Sequence, residues 1–115
     1  MSTLDVLDHH LQAFTAGDVD EILKDFTEES ILIEPEATHR GLADLRTFFA
    51  GLFDSLFKPG SYDFTMDRST VEGDVAYVVW HSKNQGVDVS LGTDTFIVRD
   101  GKIAVQTFAG KIDKK

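Results

Sequence analysis

The chain has 115 residues, of which 42% are hydrophobic, and 20 acidic against 11 basic side chains give it a net charge of −9. This length predicts a single domain over residues 1–115 with its own core. The acidic balance argues against nucleic acid or a membrane surface as partner and favours a neutral or cationic ligand. The chain has no cysteine, which excludes disulfides and thiolate sites, and with no signal segment visible we expect a cytoplasmic protein.

Two helices are predicted near the start of the chain. Ser2 or Thr3 is placed to cap the first helix, which ends at Gly17, and Asp18 is placed to cap the second. In the first helix, His10 lies at the edge of the apolar stripe and His9 points away from it. The stripe repeats at helical spacing and comprises Leu4, Leu7, Leu11 and Phe14.

A short strand and a third helix follow. Residues Ile31–Glu34 have the composition of a strand, which Pro35 closes because proline cannot donate a hydrogen bond to a sheet. Residues 36–40 are predicted to form a polar loop, and Gly41 opens a helix that Pro59-Gly60 stops. The apolar face of that helix comprises Leu42, Leu45, Phe49, Leu52, Phe53 and Leu56.

The second half of the chain changes to the alternating period of β-strands. Four strands are predicted, over residues 62–71, 75–83, 87–99 and 102–110, joined by turns that suit hairpins. Asp100-Gly101 is the strongest turn signal, since a type I′ turn requires positive φ at both central residues. The complete order predicts an α+β fold in which a curved antiparallel sheet packs on three N-terminal helices.

The order of elements and several local sequences resemble the nuclear transport factor 2-like superfamily, in particular its ketosteroid-isomerase-like and SnoaL-like branches. The resemblance covers nearly the whole chain and implies a cone-shaped, cystatin-like fold with an apolar cavity at its open end. It also implies a homodimer formed through the outer face of the sheet. The sequences that carry it are Ala16-Gly17-Asp18-Val19-Asp20, Glu34-Pro35, Arg40-Gly41 and the Asp94…Asp100-Gly101-Lys102-Ile103 hairpin.

The same resemblance implies three catalytic positions. In ketosteroid isomerases a general-base aspartate precedes the proline that ends the first strand, and Glu34 occupies that position here. A second aspartate, kept neutral so that it can donate to the substrate oxyanion, matches Asp94. His10 replaces a tyrosine of the first helix, and Phe49 replaces a supporting tyrosine of the third.

Aromatic side chains are predicted to line the cavity and contact a ligand. Trp80 and His81 alternate along a strand, so only one of them faces the cavity. We expect His39 to bond the backbone around the start of the third helix. A salt bridge to Arg68 or Arg99, or a turn-side hydrogen bond, is an alternative role for Asp94. The predicted ligand-binding residues are Phe14, Phe49, Phe53, Trp80 and Phe108.

The resulting hypothesis is a cofactor-free isomerase or lyase that acts on a small hydrophobic carbonyl compound. Glu34 would remove a proton beside the carbonyl, while Asp94 and His10 would stabilise the enolate. This chemistry requires no metal, and His9 and His10 are spaced wrongly to share one. The alternatives are a non-catalytic ligand-binding or dimerisation module and a scaffold for protein partners. An enzyme predicts that the three residues converge on one point, whereas a binding module predicts that they are dispersed.

Overall fold

In the computed structural model, which describes residues 2–115, three helices cover one face of a six-stranded sheet. The helices are α1 (Thr3–Ala16), α2 (Val19–Leu23) and α3 (Gly41–Phe53). The strands are β1 (Ile31–Glu34), β2 (Ala37–Arg40), β3 (Tyr62–Glu72), β4 (Val75–Asn84), β5 (Val87–Arg99) and β6 (Lys102–Lys114).

Local side chains explain where the first two helices begin and end. The hydroxyl of Ser2 accepts a hydrogen bond from the backbone N–H of Asp5, and Asp18 Oδ1 accepts one from that of Glu21, each at 3.1 Å. Gly17 ends α1 in the left-handed region, with φ of 67°, where glycine has no steric penalty. Both predicted capping positions are confirmed.

The sheet has the strand order β2-β1-β6-β5-β4-β3. β1 runs parallel to β6, and the other neighbouring strands are antiparallel. Register irregularities interrupt the long strands, for example between Trp80 and Ser82, and such bulges bend a sheet. The sheet therefore curves around the helices without closing, which confirms the predicted α+β architecture. Asp100 and Gly101 turn the β5–β6 hairpin with φ of 52° and 74°, as predicted.

The structure differs from the predicted elements in three places. Residues 36–40 are not a polar loop, because Ala37–Arg40 form β2 and pair with β1. The third helix ends at Phe53 rather than before Pro59, although the chain beyond it still buries Phe57 against the core. β6 continues past residue 110 to Lys114 because it stays paired with β5 over that length. β2 is largely exposed on both faces, so its sequence lacks the apolar alternation of a half-buried strand.

The core lies between the helices and the concave face of the sheet. In α1 the buried face is centred on Val6, Leu7, His10 and Ala13, whereas Leu4 is 50% exposed. The predicted stripe of α1 is therefore rotated, and His10 lies within the buried face rather than at its edge. Between residues 2 and 115, no helix combines the length and the apolar character needed to cross a bilayer.

Candidate functional site

A pocket of about 50 Å³ lies between α1, α3 and the concave face of the sheet. That volume holds a few water molecules, and it is well below the roughly 300–1,000 Å³ of pockets for drug-sized ligands. Most of the lining is aromatic or aliphatic, and three lining side chains are polar. The lining residues are His10, Leu11, Phe14, Phe48, Phe49, Leu52, Phe57, Phe64, Val78, Trp80, Asp94, Phe96, Gln106 and Phe108.

Asp94 is the acidic group of the pocket. Its Oδ1 accepts from Trp80 Nε1 at 2.9 Å, and its Oδ2 accepts from Gln106 Nε2 at 2.8 Å. Burial raises the pKa of Asp94 to about 6, although the two N–H donors oppose this rise. The residue keeps some accessible surface because its side chain faces the pocket. The alternative salt bridge to Arg68 or Arg99 is absent between residues 2 and 115.

The strand register explains how Trp80 reaches Asp94. Trp80 pairs with Gly92 on β5, and Asp94 pairs with Val78 on β4, so the indole crosses the face diagonally. A side chain at Gly92 would overlap the six-membered ring of Trp80. The missing side chain at Gly92 therefore gives the indole its place beside Asp94.

His10 is the second titratable group of the pocket. It is 3% exposed, and its Nδ1 has no hydrogen-bond partner within residues 2–115. Four phenylalanine rings surround the imidazole with centroid distances of 5.1 to 6.4 Å. Burial, with a smaller contribution from His9, lowers the pKa of His10 to about 4. The ring is therefore neutral at pH 7 and carries one N–H and one lone pair.

His9 points away from the pocket, as expected, and joins α1 to α2. Its Nδ1 lies 2.6 Å from Asp25 Oδ2, and its Nε2 lies 2.8 Å from Glu21 Oε1. The hydrogen bond with Asp25, and then that with Glu21, raises the pKa of His9. Asp25 is itself buried, and its backbone carbonyl accepts from Ile103 N–H. These contacts fix the rotation of α1 and so direct the next residue, His10, into the core.

Glu34 lies outside the pocket lining. Its Oε1 accepts from the backbone N–H of Glu36 at 2.6 Å, and its Oε2 lies 3.1 Å from His39 Nε2. Burial acts to raise the pKa of Glu34, but the hydrogen bonds from Glu36 and His39 outweigh it and the pKa is lowered. The expected backbone bond of His39 is therefore replaced by a bond to this carboxylate. Glu34 serves the turn between β1 and β2.

The sheet register places Glu34 two strands away from Asp94 in the same row. Ile33 pairs with Thr107, so Glu34 would fall beside Phe108, which itself pairs with Asp94. Two strand spacings, about 10 Å, thus lie between the two backbones. On the helix side, the Phe48 ring lines the pocket and lies 4.6 Å from the ring of His39. Phe48 therefore contacts both the pocket and His39.

The structure brings His10 and Asp94 to one pocket and leaves Glu34 apart. The predicted contact residues Phe14, Phe49, Trp80 and Phe108 line the pocket with them, whereas Phe53 packs behind Phe14 at a centroid distance of 5.1 Å. No group of three or more His, Cys, Asp or Glu side chains among residues 2–115 is arranged to hold a metal ion.

Trp80 and His81 alternate along β4, and Gln106 is a site residue that the sequence analysis did not predict. Trp80 faces the pocket, and His81 faces the other side of the sheet, where its Nδ1 lies 2.8 Å from Asp67 Oδ2. Sequence reasoning missed Gln106, which strict alternation places opposite the buried Ile103. A register irregularity between Ile97 and Val98 brings both to the inner face.

Residues 7–106 match the family model of the SnoaL-like domain. The chain superposes on a proposed polyketide cyclase from Sinorhizobium meliloti with a TM-score of 0.77 and 21% identity, over 94% of this chain and 99% of that one. For a proposed ketosteroid isomerase from Kribbella flavida, the TM-score is 0.76 and the identity 18%, over 95% and 77%. For an LEH-like epoxide hydrolase from M. tuberculosis, the values are 0.72 and 14%, over 95% and 82%. Likeness at these identities shows the fold alone. A comparison with curated proteins finds no match.

Proposed function

Because the chain belongs to the SnoaL-like domain family, we propose that it performs acid–base chemistry of the isomerase or lyase type on a small, uncharged, mainly apolar carbonyl compound. The structural neighbours named as a ketosteroid isomerase and a polyketide cyclase support this class. One observation carries the proposal: the Asp94 carboxyl faces an apolar pocket, where burial raises its pKa to about 6. A carboxyl that titrates close to the working pH is suited to proton transfer.

The electrostatics assign Asp94 and His10 roles that differ from those implied by the resemblance. At pH 7 a carboxyl with a pKa of about 6 is mostly ionised, so Asp94 acts as the base. His10 is neutral, and in the tautomer with its proton on Nδ1 it donates to the carbonyl oxygen and stabilises the enolate. Asp94 takes the proton from the carbon beside the carbonyl and returns it to carbon. Glu34 takes no part because its oxygens hold the β1–β2 turn.

Deuterium exchange into a small ketone tests this proposal. Butanone is incubated with the protein in D₂O, and loss of its α-proton signals is followed by NMR. General-base catalysis is worth on the order of 10²–10⁴-fold, so Asp94→Asn should reduce the protein-dependent exchange rate by about that factor. Glu34→Gln is the matched carboxyl control and should leave the rate unchanged. Equal rates for the Asp94→Asn variant and the unchanged protein would contradict the proposal, and loss of exchange in Glu34→Gln would restore Glu34 as the base.

A non-catalytic ligand-binding module is the second candidate function. It is favoured by the two hydrogen bonds that already occupy both oxygens of Asp94 and by the small volume of the pocket. The two hydrogen bonds hold the Asp94 carboxylate in place, and the small volume leaves little space for a reaction. In the exchange experiment, this candidate predicts that small ketones bind while no variant alters their α-proton signals.

We also infer that two copies of the chain associate through the outer face of the sheet. Val75, Tyr77 and Ile33 are exposed there by 41%, 39% and 41%. Tyr77 and Ile33 belong to one row across the strands, with Thr95 and Thr107 between them, and these exposed apolar side chains support an interface on this face. Two identical faces meet most simply about a two-fold axis.

A further inference from the structure

The side-chain amide of Gln106 has a hydrogen-bond partner for its nitrogen but none for its oxygen within residues 2–115. Its Nε2 donates to Asp94 Oδ2 at 2.8 Å, while its Oε1 is buried and has no partner within residues 2–115. The residue is 3% exposed and lines the pocket. A buried acceptor without a donor is costly, so the site is suited to a bound group that supplies one.

Asp94 determines which way the amide of Gln106 lies. An ionised carboxylate only accepts hydrogen bonds, and Trp80 N–H already occupies its Oδ1. Gln106 must therefore present its NH₂ to Asp94, and its carbonyl oxygen is left without a donor within residues 2–115. The opposite orientation would set two acceptors against each other.

Two residues that line the pocket each have one buried polar atom without a partner within residues 2–115, and these two atoms suit a ligand with two functions. Gln106 Oε1 lacks a donor, and neutral His10 donates to an acceptor through Nδ1 in the tautomer that carries its proton there. A simple ketone satisfies His10 and leaves Gln106 unpaired. An anionic ligand would be repelled by the carboxylate of Asp94 and by the net charge of −9.

We propose that the ligand is a small, uncharged α-hydroxy carbonyl compound whose hydroxyl donates to Gln106 Oε1 and whose carbonyl oxygen accepts from His10. This inference rests on the proposed function and names its substrate class. The volume of about 50 Å³ is below the roughly 150 Å³ of a cavity that binds benzene, so the ligand is small, and an α-hydroxy carbonyl carries a donor and an acceptor on the fewest atoms. Gln106 is then the residue that selects the hydroxyl.

Hydroxyacetone and butanone provide the test, because they differ only by a hydroxyl in place of a methyl group. Their dissociation constants are measured at pH 8, where Asp94 is ionised, by NMR titration of the Trp80 indole and Gln106 side-chain signals. Hydroxyacetone should bind the unchanged protein about tenfold more tightly than butanone. Gln106→Met, which has similar length but no acceptor of that kind, should remove the preference. Gln12→Met, an exposed residue of α1, should retain it.

The comparison in the unchanged protein is decisive even if Gln106→Met fails to fold. Equal affinities for the two ketones, no measurable binding of either, or a preference that survives Gln106→Met would overturn the inference. Failure of the proposed function gives a different result: hydroxyacetone binds with the preference, but neither ketone exchanges its α-protons. Asp94-dependent exchange of both ketones without a preference would retain the function and reject the ligand class.

Discussion

Trp80 and Asp94 are joined by a hydrogen bond of 2.9 Å that crosses the inner face of the sheet diagonally. The bond exists because Gly92, which pairs with Trp80, leaves space for the indole. Phe108 and Phe64 stack on the same indole at 6.1 and 5.3 Å. The Trp80 side chain therefore links the backbone at Gly92, the aromatic stack and the titration of the Asp94 carboxyl.

Trp80→Phe should raise the pKa of Asp94 above about 6. The variant keeps an aromatic ring in the stack and removes one of two donors that stabilise the carboxylate. The measurement is a pH titration of the Asp94 carboxyl by NMR. Phe64→Leu alters the same stack and leaves the hydrogen bond, so it should change this pKa much less. An unchanged Asp94 pKa in Trp80→Phe would show that the indole does not stabilise the carboxylate.

Gly92→Ala should lower the free energy of unfolding by about 1–3 kcal/mol, the usual effect of overpacking, because the new methyl group overlaps Trp80. It should also shift the indole N–H resonance of Trp80. Gly51→Ala is the control, since a Cβ at that position of α3 meets nothing within 4 Å. In a helix interior the control should gain about 0.5–1 kcal/mol. Denaturant unfolding of both variants measures the difference, and similar values would contradict the role of Gly92.

Much of the fold was predictable because its signals are local. Ser2, Asp18 and the Asp100-Gly101 turn each act within a few residues, so sequence alone places them correctly. β2 was not predictable in this way, since its residues are polar and its pairing with β1 supplies the structure.

The site was predictable only in part, because its geometry depends on contacts between distant strands. Asp94 and His10 could be found as polar residues among apolar ones. Glu34 lies outside the pocket lining, and its bond to His39 depends on the pairing of β2 with β1. Gln106 was hidden because a bulge breaks the alternation from which its direction would be inferred.

Asp94→Asn should change the pH dependence of stability in a defined window. The pKa of Asp94 is raised from 3.8 to about 6, so the folded protein holds this proton more tightly than the unfolded chain. Its contribution to the free energy of unfolding therefore falls as pH rises from about 4 to 6, by about 3 kcal/mol at most. Asparagine does not titrate, so the Asp94→Asn variant does not lose this stability. The free energy of unfolding of the variant minus that of the unchanged protein should therefore rise between about pH 4 and 6 and stay constant at higher pH. Urea unfolding at pH 4, 5, 6 and 7 gives the difference, and parallel curves would show that Asp94 titrates normally.

His10→Phe should stabilise the protein most at acidic pH. The pKa of His10 is lowered to about 4, so between about pH 4 and 6.5 the unfolded chain binds a proton that the fold excludes. The phenyl ring of the variant cannot take up this proton, and the substitution also removes the unpaired Nδ1, a gain of about 1–3 kcal/mol. Unfolding at pH 5 and pH 8 should show the larger gain at pH 5. A gain that is equal at both pH values would mean that His10 titrates alike in the folded and unfolded chains.

Tyr77→Asp should separate the proposed homodimer into monomers. It places a charge in the apolar outer face of the sheet, and a two-fold interface would bring the two charges into one buried region. Leu4→Asp is the control, because Leu4 is similarly exposed but lies in the first turn of α1, where the helix dipole favours an anion. Sedimentation velocity of the three proteins measures their mass. A dimer is expected for the unchanged chain and for Leu4→Asp, and a monomer for Tyr77→Asp. A monomer in all three would refute association, and a dimer in all three would place the interface on another face.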